Sequence, residues 1–237
     1  YPKAEGVLRK TLLSNPKQTY IHVEIGYNYE RQQKKELANA EYEIALKSID
    51  TNPSLGGIIG RMFRQNNSLD YAIQAYSKTM LLNKNANHQF QVAQIYGEKG
   101  NFEKMFDSYI ELIYKNENYI GTVQRFASRY ITDDPTNKNN VALKKSLLRK
   151  SISNPKNVWN ELLSWLFAKQ KQYNKALIQE KALFKRNPEY LDKIATLGRI
   201  AFDDNDYAAA KDCFSFLLNS SNFIDDKLTA ELFLLKS

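Results

Sequence analysis

Residues 197–217 read LGRIAFDDNDYAAAKDCFSFL, and this stretch decides the fold. Gly198 and Ala201 are three apart, a polar break follows at residues 203–206, and Tyr207, Ala210, Phe214 and Leu217 then recur at spacings of three and four. Side chains at that spacing share one face of an α-helix, so the stretch is two helices joined by a short polar turn. A glycine inside the first helix costs about 1 kcal/mol against alanine. Close approach of the second helix offsets that cost: small residues let the axes come near, and the large residues three and four positions away fill the remaining gaps.

The same pattern repeats along the chain. Ala4, Ala38, Ala72, Met105, Leu143, Ala176 and Ala210 follow one another at intervals of 34, 34, 33, 38, 33 and 34 residues. Four residues after each mark comes a larger side chain, Leu8, Tyr42, Tyr76, Tyr109, Leu147 and Phe214, with Glu180 the exception. Twelve residues before the mark lies a small residue, Gly26, Gly60, Ala93, Ser164 or Gly198, and three beyond that Tyr29, Phe63, Tyr96, Phe167 or Ala201. Two helices per period follow. Pro16, Pro53, Pro155 and Pro188 mark the ends of second helices, and Gln33, Asn67, Gly100-Asn101, Gln172 and Asn205 are the expected turn residues.

In these positions the chain resembles the tetratricopeptide repeat family over essentially its whole length. The best copy is Leu197-Gly198, Ala201, Tyr207, Ala210, Phe214 and Leu217. A second is Ile25-Gly26, Tyr29, Ala38, Tyr42, Ala45 and Pro53, whose proline comes about three residues late. The resemblance implies an all-α fold, an α-solenoid of antiparallel helix pairs wound as a right-handed superhelix with a concave face. A single domain over residues 1–237 is expected, with a half repeat at 1–18, full hairpins at 19–52, 53–85, 86–119, 120–156, 157–190 and 191–224, and a further half at 225–237. Both ends then fall inside a repeat, which together with the opening Tyr1 suggests a longer intact protein. The fifth hairpin is expanded by about four residues around Asp133-Asp134-Pro135, either as a surface loop or as a bend or contact site.

Composition agrees with this reading. Gly (9) and Pro (6) are scarce in 237 residues, and 43% hydrophobic content supplies a core. No apolar run is long enough for a membrane span. The lone cysteine, Cys213, excludes an internal disulfide and a thiolate metal cluster and reads as a small buried hydrophobe. Abundant Asn, Lys and Tyr fit an AT-rich bacterial genome. The net charge of +8 is spread along the chain beside acidic residues, as on a solvated face.

Catalysis finds no support in the sequence. His22 and His88 stand in different repeats with no acidic pair at ligand spacing. Asp133-Asp134 and Asp203-Asp204 read as turn carboxylates, not as a metal site. Gly56-Gly57 with Gly60 lacks the strand and lysine of a phosphate loop. Neither metal nor cofactor is expected. Most tyrosines fall on packing positions, which leaves the first helices to supply the binding surface. One residue after the small position the register gives Tyr27, Arg61, Gln94, Ser128, Trp165 and Arg199. Further on it gives Glu30-Arg31, Arg64, Thr132, Lys169 and Asp203. Tyr27, Arg61, Arg64, Gln94, Trp165, Lys169 and Arg199 are therefore the candidate groove residues, with Arg and Trp the types most enriched at binding hot spots. Co-chaperone members of the family hold a terminal carboxylate with a fixed lysine and asparagine set. Val23 with Tyr27, and Gly57 with Arg61, depart from it. The expectation is a protein–protein interaction scaffold for a peptide or protein segment, an acidic one being compatible with the basic groove. Two alternatives stand beside it: an RNA-binding helical-repeat protein, or the peptide-receiving module of a longer regulator.

Overall fold

The structure, a computed structural model, describes residues 1–236. Among them there are fourteen α-helices, three short 3-10 turns and no strand. The chain divides into two compact units, Tyr1–Leu112 and the residues from Ile113 on. In unit 1 lie α1 (Pro2–Ser14), α2 (Ile21–Glu30), α3 (Lys35–Thr51), α4 (Gly56–Gln65), α5 (Leu69–Leu82), α6 (Gln89–Glu98) and most of α7 (Phe102–Lys115). Unit 2 contains α8 (Ile120–Ala127), α9 (Lys138–Ser153), α10 (Asn157–Lys169), α11 (Tyr173–Phe184), α12 (Leu191–Asp203), α13 (Tyr207–Ser220) and α14 (Ile224–Lys236). Each of the six stretches expected to be a hairpin contains two α-helices. The closest packing is within the pairs α2–α3, α4–α5, α10–α11 and α12–α13, with lesser contacts to the next helix along.

The small residues act as the period requires. Gly26, Gly60 and Gly198 are buried, and a Cβ built on them would stand 2.4 Å from the Tyr42 ring, 2.7 Å from the Tyr76 ring and 3.0 Å from Cys213 Cβ and the Phe214 ring. Only a hydrogen fits at the first two. Each glycine thus faces the large residue sixteen positions on, and Tyr42, Tyr76 and Phe214 are themselves almost wholly buried. Around them each unit has its own core, built on Val23, Ile25, Ile59 and Phe63 in unit 1 and on Ile194, Ala209, Phe214 and Leu217 in unit 2. Two packing expectations are not met. Ala4 is exposed on α1, which buries no residue. Tyr207 is exposed, its hydroxyl donating to Asn205 Oδ1 at 2.9 Å and its edge meeting Phe202.

Backbone geometry closes the hairpins. Gln33, Asn67, Gly100, Lys171 and Asn205 all have φ between 55° and 71°. The amide following each one reaches back five residues, to the carbonyls of Tyr29, Phe63, Tyr96, Phe167 and Ala201, at 2.8–3.0 Å. A left-handed residue followed by this long backbone bond is the Schellman ending, which satisfies carbonyls that a helix terminus would leave unpaired. In the hairpin of α10 and α11 the left-handed residue is Lys171, not Gln172 as the sequence pattern suggested; Gln172 supplies the reaching amide. Second helices stop differently. Asn52, Asn116 and Asn187 turn their side-chain oxygens onto Ser54 N, Asn118 N and Glu189 N, at 3.0–3.2 Å, and start the 3-10 turns Pro53–Leu55, Glu117–Tyr119 and Pro188–Tyr190.

The expanded loop around Asp133-Asp134-Pro135 runs over residues 128–137, since α8 ends at Ala127 and α9 begins at Lys138. Asn140, fully buried in the first turn of α9, holds it: Nδ2 donates to the carbonyls of Thr132 and Asp134, both at 2.7 Å, and Oδ1 accepts from Thr132 N at 3.2 Å. Nothing in the repeat pattern marks that residue.

Candidate functional site

Two clefts, one in each unit, contain candidate residues. In unit 1 the register of α4 places Gly57, Arg61, Arg64 and Gln65 on one face. They line a cleft of about 540 Å³ together with Tyr76, His88, Gln91 and Glu98. The missing side chain at Gly57 makes room, since a Cβ there would come within 3.3 Å of the His88 ring. Burial holds the His88 imidazole below its ordinary pKa, and its ring meets that of Tyr76 at a tilt of 39° with centroids 4.9 Å apart. Arg64 is half-buried; its guanidinium pairs with Glu98 and donates to Gln94 Oε1 at 3.0 Å. Arg61 is exposed and makes no ion pair among the described residues. Gln91 Oε1 is buried with no hydrogen-bond partner. Arg61, Arg64 and Gln94, three residues drawn from the repeat register alone, therefore come together. Tyr27 does not join them: it is half-buried and its hydroxyl lies beside the Arg31 guanidinium.

In unit 2 Trp165 is half-buried in a cleft of about 320 Å³. Its walls come from α8 (Ile120, Gln124), α10 (Glu161, Ser164, Trp165, Ala168) and α12 (Lys193, Thr196, Leu197, Ile200), with Glu180 contributed by α11. Lys193 Nζ lies 2.5 Å from Glu161 Oε2. Glu180 is 6% exposed, and its Oε2 has no hydrogen-bond partner. Desolvation raises the pKa of this carboxyl, opposed by the Ser164 hydroxyl and the Lys193 charge and reinforced by Glu161. Lys169 and Arg199 are exposed and form no part of the cleft. Of the secondary register positions, Glu30 accepts from the Tyr42 hydroxyl at 2.6 Å, Ser128 is bonded to the Gln124 carbonyl at 2.7 Å, and Asp203 is exposed.

The register missed His88, Gln91, Glu161 and Lys193, which reach the clefts from positions it did not follow. Glu180 left a trace, as the one break in the series of large residues. Its partner across the hairpin is Ser164 where the other pairs have glycine or alanine, so small-against-large has become hydroxyl-against-carboxyl at this one place. Among the described residues no group of three or more His, Cys, Asp or Glu side chains is arranged to hold a metal, and no helix is long and apolar enough to cross a membrane. Burial pushes the Cys213 thiol up to about 12.

The paired helices, the Schellman closures and the glycines set against aromatic rings define an all-α fold of helical hairpins like those of tetratricopeptide repeats. Comparison with known proteins adds two distant likenesses. One is a chain of the Naa15/Naa10 complex bound to HypK-THB, 16% identical over 97% of this chain and 36% of that one, with a TM-score of 0.41. The other is a tetratricopeptide repeat protein from Parabacteroides merdae ATCC 43184, 16% identical over 92% of this chain and 99% of that one, with a TM-score of 0.36. The chain thus spans about a third of the first of these. No family model and no curated protein matches the sequence.

Proposed function

We propose that the hairpin array is a non-catalytic interaction scaffold that takes a peptide or protein segment into the cleft of unit 1. The observation carrying this reading is that Arg61, an exposed guanidinium with no ion pair among the described residues, shares one cleft with a buried unbonded amide oxygen, Gln91 Oε1. A segment with a carboxylate for Arg61 and a backbone N–H for Gln91 satisfies both. Arg64 is a supporting residue in this scheme, because Glu98 and Gln94 already fix its guanidinium. An acidic segment is favoured over a basic one by the sign of the unpaired charge. No step in this reading breaks or forms a covalent bond, and it needs no cofactor.

The test is a peptide-display selection on the intact chain, followed by anisotropy titration of the selected peptides against wild type and Arg61→Glu. Enrichment of Asp, Glu or a free terminal carboxylate is expected, with affinity in Arg61→Glu lower by roughly 1–2 kcal/mol, about 5- to 30-fold. Selected peptides that bind both proteins equally would refute the assignment of this cleft.

A further inference from the structure

We infer that the cleft of unit 2 is a pocket for a cationic side chain, lysine or arginine, of a bound peptide, with the Glu180 carboxylate as its counter-ion and the Trp165 indole as its wall. The inference rests on the scaffold reading and adds a second, oppositely charged subsite to it.

The repeat itself supplies the first reason. Tyr42, Tyr76, Tyr109 and Phe214 occupy the position of Glu180 in other hairpins and are almost wholly buried there. Substituting a glutamate removes a large apolar filler and leaves a carboxyl 94% removed from solvent, one oxygen of which has no partner. A buried carboxylate without a partner is costly. Ser164 on α10 offers a single hydroxyl, and the nearest cation, Lys193 on α12, is held by Glu161 at 2.5 Å. Cys213 on α13 stands near enough for Glu180 to raise its already elevated pKa, so the thiol brings no charge. Among the described residues, then, no cation forms an ion pair with Glu180, and the Ser164 hydroxyl and the Lys193 charge only partly offset its burial.

The shape of the site supplies the second reason. About 320 Å³ lies at the small end of ligand sites and suits a side chain better than a cofactor. Trp165, Leu197, Ile200 and Ile120 make an apolar wall around a carboxyl floor. That is the complement of a long aliphatic stem tipped by a cation, which gains from the carboxylate and from an indole face together. Binding such a cation favours the ionised form of Glu180. Because burial raises the pKa of this carboxyl, affinity falls as pH is lowered through that raised value and a proton is taken up in the cleft.

The probe is n-butylguanidinium, with n-butylurea as its uncharged isostere, titrated into the full chain and followed by NMR at the Trp165 indole N–H and at the 13C-labelled Glu180 carboxyl. Saturable shifts of both signals are expected with n-butylguanidinium. Binding is expected to be about tenfold or more weaker in Glu180→Gln and with n-butylurea. Circular dichroism would confirm that Glu180→Gln folds, and the conservative Glu180→Asp should retain part of the binding. Equal binding of the cation and the urea, equal binding by Glu180→Gln, or no saturable shift at either reporter each overturns the inference. Acidic peptides that still bind through Arg61 in that event leave the scaffold reading intact, so the two failures are separable.

Discussion

Replacing Glu180 by leucine should stabilise unit 2. Leucine restores the size and polarity that the repeat places at this position elsewhere, and the open cleft beside it removes any risk of overpacking. Exchanging a buried unpaired carboxylate for an apolar side chain of similar volume is worth about 1–2 kcal/mol, after allowance for the Ser164 hydroxyl left without its neighbour. For a chain of this size that corresponds to roughly 2–8 °C in Tm. The pH dependence makes the claim sharper. A carboxyl whose folded-state pKa is raised costs stability as pH rises from the ordinary carboxylate range through the raised value, and costs nothing below that range, where it is protonated in both states. The advantage of Glu180→Leu should therefore be greatest above the raised value and shrink as pH falls through it toward the ordinary carboxylate range. Trp159 and Trp165 are the only tryptophans, and both stand on α10, so tryptophan fluorescence in a urea titration reports on unit 2 alone. A variant less stable than wild type at pH 7, or a gain that is the same at pH 4 and pH 7.5, would refute the reasoning about the buried carboxylate.

Three further outcomes are expected. Gly26→Leu and Gly60→Leu should each lose about 1–3 kcal/mol, because the Tyr42 and Tyr76 rings occupy the space a side chain needs; unchanged melting by circular dichroism in both would contradict the close approach. Asn140→Ala should cost about 2–3 kcal/mol and raise hydrogen exchange at the Thr132 amide, since it removes three hydrogen bonds from a fully buried side chain. Filter binding at about physiological ionic strength should give no sub-micromolar affinity for single-stranded RNA, because Arg9, Arg64, Lys78, Lys99, Lys156, Lys171 and Lys193 are already paired with carboxylates; a tight and steeply salt-dependent complex would revive the nucleic-acid reading.

What could be read ahead of the structure was whatever depends on one hairpin at a time. The glycine-to-aromatic distance is fixed inside a helix pair, so Gly26, Gly60 and Gly198 declared their partners by spacing. The turn residues did the same, with an error of one residue at Lys171, where no Asn or Gly marks the left-handed position. The clefts obey a different rule. Whether Arg61 or Arg199 lines one depends on side chains arriving from neighbouring helices, such as His88 and Gln91 from the α6 side, and a single period has no term for that. Treating every first helix as presenting the same face put Lys169 and Arg199 beside Trp165 in expectation, whereas α8 and α12 bring Ile120, Gln124 and Ile200 there instead. Glu180 was visible only as a mismatch. Its meaning required knowing that Ser164 and a void, not another large residue, lay opposite.

The Schellman closures give the molecule unused thermal headroom. Four of the five left-handed positions are occupied by Gln33, Asn67, Lys171 and Asn205, side chains that resist this backbone conformation to different degrees, and only Gly100 is free of that penalty. Glycine at Gln33 and Lys171 would relieve roughly 1 kcal/mol at each without touching either cleft, the gain being partly offset by a looser unfolded chain. Asparagine already tolerates the left-handed region, so Asn67 and Asn205 have less to give. An engineer wanting a sturdier array for display of new binding residues has two surface substitutions to begin with, both outside the helices that form the clefts.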